Sequence, residues 1–210
     1  MVLTDYIKTN KDAFIAKVQN ISDALGIIPD WLMVVMYMES GLNEKAVNYQ
    51  KGDSADPYTR SANRATGLIQ FMPSTAAGLG VTTQQLYQMS NVDQLDYVYE
   101  YFSGYAGDLH SVYDLYLVTF FPAALGESDD WVIHSNSLSA ATIARYNTGI
   151  DLNKDSQITV GEFKQYIDNL LKKKELADLI ETTVSTGLTL TGAVLIGLAA
   201  YYMYKYYQNE

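Results

Sequence analysis

Residues 28–48 read IPDWLMVVMYMESGLNEKAVN, and the nature of the protein turns on this stretch. Pro29 and Asp30 open a helix, since proline loses nothing at a first-turn position whose N–H is unpaired anyway. From Trp31 to Met38 every side chain is apolar or aromatic, on all sides of the predicted helix. A helix apolar all round has to be buried. Gly41 stops it, and Glu39 stands on its last turn, followed by Ser40. Burial against Trp, Met and Tyr side chains disfavours a carboxylate, and the negative end of the helix dipole acts in the same direction. Both raise the pKa of Glu39. A glutamic acid that keeps its proton near neutral pH is what a general acid needs in order to protonate a glycosidic oxygen. On this segment by itself, a glutamate that simply escapes to solvent from the helix end is the competing reading.

Outward from this helix the chain stays helical. Phe14, Val18 and Ile21 share one face of an amphipathic helix predicted from about Asp12 to Leu25. Leu86 to Phe102 and Leu109 to Phe121 are two further helices, the second nearly all apolar, and Val-Ile-Thr alternation over strand length is almost absent. The fold class is all-α. With 210 residues the chain has room for one domain of roughly 150 residues and an appendage. Charged residues are 18 % against 48 % apolar, which excludes disorder throughout. A net charge of −10 argues against any partner held by nucleic-acid phosphates. With no cysteine, there is neither a disulfide scaffold nor a thiolate site. Two histidines, His110 and His134, leave little room for an imidazole zinc site, so any metal must be held by oxygen. His110, His134 and Trp131 read as packing and surface hydrogen-bonding residues.

A second segment, residues 65–80, reads ATGLIQFMPSTAAGLG. Gly67 allows close backbone approach, Gln70 offers an amide donor and acceptor, and Pro73 with Ser74 opens another helix. Glu39-Ser40-Gly41, then Asn43, Ala46 and Asn48, then Gly67 to Gln70 with Met72-Pro73, Thr75-Ala76 and Gly80, resemble the soluble lytic transglycosylase family. Ile143 to Gly149, IARYNTG, is similar to that family's later Tyr-Asn motif. The resemblance covers about residues 28–149, with three motifs in order. It implies a lysozyme-like fold over residues 27–175, packed against an N-terminal helix within 1–26, and cleavage of bacterial peptidoglycan. Glu39 then matches the single catalytic acid acting between N-acetylmuramic acid and N-acetylglucosamine. It next serves as base on the muramyl 6-hydroxyl, which closes a 1,6-anhydro ring. Ser40, Gln70, Met72, Tyr146 and Asn147 match substrate-binding or orienting positions, with Tyr146 and Asn147 expected on the wall facing the acid.

The stretch from Tyr49 to Arg64, YQKGDSADPYTRSANR, is longer than the family's usual connector and brings Asp53 and Asp56. Either carboxylate, placed roughly 6.5–9.5 Å from Glu39 across a water, would make the enzyme a hydrolytic lysozyme instead. Gly-Asp-Ser and Asp-Pro are also turn chemistry, and a solvated turn is the preferred reading. A non-catalytic, calcium-stabilised membrane or virion protein that kept the fold is a third reading. The intact Glu39, Gln70 and Tyr146 argue against it.

Directly after the third motif, residues 151–162 read DLNKDSQITVGE and resemble an EF-hand loop. Asp151, Asn153, Asp155, Gln157, Thr159 and Glu162 fall at ligand positions 1, 3, 5, 7, 9 and 12. Ser156 occupies position 6, where glycine normally makes the sharp turn, and a positive φ at serine costs about 1 kcal/mol. A structural Ca2+ is expected here, with no cofactor for catalysis.

At the other end, residues 182–204 form an uncharged run of 23, TTVSTGLTLTGAVLIGLAAYYMY. At about 1.5 Å rise per residue a helix of that length matches a bilayer core of roughly 30 Å. Five tyrosines between 201 and 207 suggest an interfacial belt. A transmembrane helix over 182–207 is therefore expected, with a buried C-terminal helix as the alternative. The first twenty residues do not read as a secretory signal. A wall-cleaving enzyme carried in a bacteriophage virion membrane beside other virion proteins, and acting in the host periplasm, is the expectation that reconciles these features.

Overall fold

The computed structural model describes Met1 and residues 3–172, with side chains to residue 170. The expected span at 182–207 lies outside the described residues. Among those described, the chain is helical and has no strand beyond isolated bridges. The helices are α1 (Lys11–Leu25), α2 (Pro29–Ser40), α3 (Pro57–Ser61), α4 (Pro73–Gly78), α5 (Thr83–Gln88), α6 (Asn91–Ser103), α7 (Val112–Phe120), α8 (Ala140–Tyr146) and α9 (Val160–Lys172).

α2 is the axis of the core. Leu32, Met33, Val34, Val35 and Met36 are consecutive and all fully buried. That pattern requires neighbours all round the helix, and α1 and α7 are two of them. Each such side chain contributes about 1.5–3 kcal/mol of apolar transfer. α1 lays Phe14, Val18, Ile21 and Leu25 against α2 and α6, so it belongs to the same core. Among the described residues no single helix is long and apolar enough to cross a membrane.

Local capping sets the boundaries. The helix predicted over 86–102 is two helices, because Met89 and Ser90 are extended, with ψ of 157° and 162°. The Ser90 hydroxyl accepts from the Asp93 N–H and begins α6 afresh, an N-cap that outweighs the continuing apolar period. Likewise the apolar run from Leu109 does not start α7 until Ser111 caps it by accepting from the Asp114 N–H. Residues 49–64 form a loop that encloses the short α3.

Candidate active site

Glu39 lies at the end of α2, where the chain turns sharply. The N–H groups of Gly41 and Leu42 donate back to the Tyr37 and Met36 carbonyls, with both residues at positive φ. This turn stops α2 directly after Glu39 and Ser40. An open cleft of about 400 Å³ is lined by Glu39, Ile69, Gln70, Phe71, Met72, Thr75, Tyr101, Thr119 and Phe120. Part of Glu39 borders this cleft, but its Oε1 is fully enclosed and has no hydrogen-bond partner. Burial pushes the carboxyl pKa up to about 8, only partly offset by the nearby Tyr116 hydroxyl. Desolvation, the first of the two causes expected from the sequence, is what raises it. Near neutral pH the site holds a protonated acid beside this cleft.

The loop of residues 65–72 makes the facing wall. Thr66 and Phe71 exchange backbone hydrogen bonds of 3.1 and 2.9 Å, which pinches the loop into a tight turn. Gly67 sits at φ +86°, and a Cβ there would lie 2.4 Å from Gln94 Oε1. Gln94, fully buried on α6, accepts from the Leu68 N–H at 2.9 Å and donates to the Glu44 and Leu86 carbonyls. Its amide is the internal strut of the loop. Gln70 is itself left-handed, at φ +53°, and its side-chain amide donates to the Gly67 carbonyl at 3.0 Å. This rigid arrangement presents Gln70 and Met72 to the cleft. Ser40 does not line it. Its hydroxyl lies 2.9 Å from both the Met36 and Leu68 carbonyls, tying the end of α2 to the loop.

The structure thus brings Glu39, Gln70 and Met72 onto one cleft, with Ser40 bracing them from behind. Tyr146 and Asn147 are not among the lining residues. Tyr146 is 39 % exposed beneath the Arg145 guanidinium, and Asn147 ends α8 by donating from Nδ2 to the Ile143 carbonyl. Asp53 and Asp56 do not line the cleft either. Asp53 receives a two-pronged ion pair from Arg64, which holds its carboxyl below the usual range, and also accepts from the Gln50 N–H. Asp56 caps α3 by accepting from the Thr59 N–H at 2.9 Å. Both carboxylates are engaged in shaping the 49–64 loop.

Sequence reasoning missed the tyrosines. Glu39 interacts electrostatically with Tyr101 of α6, Tyr116 of α7 and Tyr166 of α9. Burial, the largest cause, and then other charges raise all three phenols, so each stays neutral around the acid. Tyr101 donates to the Val118 carbonyl at 2.8 Å, whereas the enclosed Tyr116 hydroxyl has no partner. These residues are spread over three helices, and no spacing in the sequence marks them as neighbours.

α9 links this centre to the 151–162 loop. Phe163 stacks on Phe120 at 4.9 Å and lies 6.2 Å from Tyr116. In the loop, Ser156 adopts φ +68°, the strained turn expected at position 6. Glu162 reaches across to accept from the Asn153 and Thr159 N–H groups. The oxygen donors fit a hard divalent cation in kind and order. Yet Asp151 and Asp155 also direct their oxygens at backbone N–H groups. Among the described residues no three acidic or imidazole side chains gather closely enough to hold a metal ion.

Comparisons with curated proteins and with solved structures gave no match. Residues 17–113, which contain α2, the 65–72 loop and all of α6 with Gln94 and Tyr101, match the family model of the Transglycosylase SLT domain, and this match supports a lysozyme-like domain of that kind.

Proposed function

We propose that the chain cleaves the N-acetylmuramic acid–N-acetylglucosamine bond of peptidoglycan as a lytic transglycosylase, with Glu39 as its one acid and base. The observation carrying this reading is the Glu39 carboxyl at the cleft, desolvated and titrating at about 8, with no second carboxylate among the lining residues. Glu39 gives its proton to the glycosidic oxygen, and the N-acetylglucosamine side departs as an alcohol. The resulting carboxylate takes the proton of the muramyl 6-hydroxyl while that oxygen attacks the anomeric carbon and closes the 1,6-anhydro ring. No water is consumed. The substrate's own acetamido group shares the positive charge that a second carboxylate bears in other glycosidases. Ile69, Phe71, Met72 and Phe120 offer apolar walls for sugar faces, and Gln70 supplies an amide. Purified peptidoglycan should be solubilised by the wild type, whereas Glu39→Gln should leave it intact. Equal solubilisation by the variant would remove the reading.

The loop 151–162 is assigned to Ca2+ as a structural ion, with Asp151, Asn153, Asp155, Thr159 and Glu162 turning from backbone N–H groups to the cation and Gln157 adding its backbone carbonyl. The support is the donor order and the strained position at Ser156. Through Phe163 and Tyr166 on α9, an ordered loop would stiffen the wall behind Glu39. The uncharged run at 182–204 supports a membrane anchor, and we assign the enzyme to a bacteriophage virion membrane, from which it would open the wall in the host periplasm.

A further inference from the structure

Two polar atoms next to the cleft have no use in the chemistry above. Glu39 Oε1 and the Tyr116 hydroxyl are both fully enclosed and neither has a partner in ordinary hydrogen-bond geometry, yet the phenol is already close enough to lower the Glu39 pKa. Leaving a buried hydroxyl and a buried carboxyl oxygen unsatisfied costs stability at each, and native interiors rarely tolerate it without a reason. Packing keeps the phenol where it is. Its ring is wholly buried on α7 against Phe163, which in turn stacks on Phe120. The other groups facing the carboxyl are Tyr101 from α6, whose hydroxyl is already committed to the Val118 carbonyl, and Tyr166 from α9. Among the described residues no Lys, Arg or His contributes to the shift of Glu39. Once the acid has released its proton, Tyr116 is therefore the phenol whose hydroxyl reaches a buried, cation-free carboxylate.

We propose that Tyr116 is a positioning residue: its O–H donates to Glu39 Oε1 when the carboxyl becomes a carboxylate, and holds that anion between bond cleavage and ring closure. The inference rests on the transglycosylase reading, which is what makes the anion an obligatory stage. No proton leaves the phenol. The bond lengthens again when the carboxylate recovers a proton from the muramyl hydroxyl, so Tyr116 resets with each turnover. A charge-assisted hydrogen bond of this kind is stronger than a neutral one, and it is strongest in the state that needs it.

The test is a carbon-13 carboxyl titration of Glu39 in the full chain, beside Tyr116→Phe. Loss of the hydroxyl should move the Glu39 midpoint up by about one pH unit, the scale set by one charge-assisted bond. Turnover on peptidoglycan should fall about tenfold with KM little changed, since the interaction is weak in the ground state and strengthens in the anion. A midpoint that is unchanged or lower in the folded variant overturns the proposal. A second, nearly isosteric probe is 3,5-difluorotyrosine at position 116, a stronger donor, which should move the midpoint down; no movement, or a rise, also overturns it. The titration does not depend on the products. Expected shifts with no anhydromuramyl product would therefore retire the transglycosylase reaction and the role in it, while the hydrogen bond itself stood.

Discussion

Replacing Glu39 by Gln should stabilise the protein, and the gain should depend on pH. In the folded chain the carboxyl titrates at about 8, against 4.5 for the ordinary group. A raised folded pKa means that the folded state binds the proton more tightly than the unfolded one. The stabilising contribution is complete below pH 4.5 and is lost as pH rises through about 8, at about 1.4 kcal/mol per unit. At pH 7 the wild type has therefore forgone about 3 kcal/mol, which a glutamine, having no charge to desolvate, does not lose. For a chain of this size that corresponds to a rise in Tm of about 6–12 °C. The amide places its own polar atoms in the pocket, but that cost is the same at every pH. Calorimetric melts of both proteins from pH 4.5 to 8 isolate the pH-dependent part. The difference in Tm should widen steadily across the range. A constant difference, or one that narrows with pH, would refute the desolvation argument.

Other consequences follow from the same geometry. Gly67→Ala forces a Cβ to within 2.4 Å of Gln94 Oε1 at φ +86°, so it should destabilise by about 2–3 kcal/mol in chemical denaturation and abolish wall lysis with it. Asp53→Asn breaks the part-buried, two-pronged pair with Arg64; it should cost about 1.5–3 kcal/mol and leave lysis within a factor of a few, whereas a hydrolase using Asp53 would lose activity outright. Ser156→Gly relieves φ +68° and should raise Tm by about 2–4 °C without metal, with a further rise on adding Ca2+; no response to Ca2+ or to chelation in either protein would dismiss the structural ion.

The reach of the sequence ends where contacts become non-local. α2 and the buried setting of Glu39 were legible because eight successive apolar side chains leave a helix no exposed face. Gln70 and Met72 were legible from their motif. Ser40 was visible as a residue but not as a brace, because its acceptor is the Leu68 carbonyl, 28 positions away. Tyr116 lies in a run of apolar and aromatic residues, where its hydroxyl looks like one more core tyrosine until Glu39 is seen beside it. Gln94, on a helix rich in polar residues, gave no sign that its amide would be fully buried. The division of 86–102 turned on one serine cap, a local effect that periodicity over a longer window averages away. Asp53 and Asp56 were expected in a solvated turn; Asp56 is a helix cap in keeping with that, but the part-buried ion pair of Asp53 with Arg64, 11 positions away, had no local signal.

The central claim is that one protonated acid cuts the glycan without a second carboxylate and without water. Digestion of purified peptidoglycan in heavy-oxygen water, followed by mass spectrometry of the muropeptides, tests it most directly. The account predicts 1,6-anhydromuramyl ends carrying no solvent oxygen, formed by the wild type and lost in Glu39→Gln. Reducing muramyl ends labelled from the solvent would contradict it.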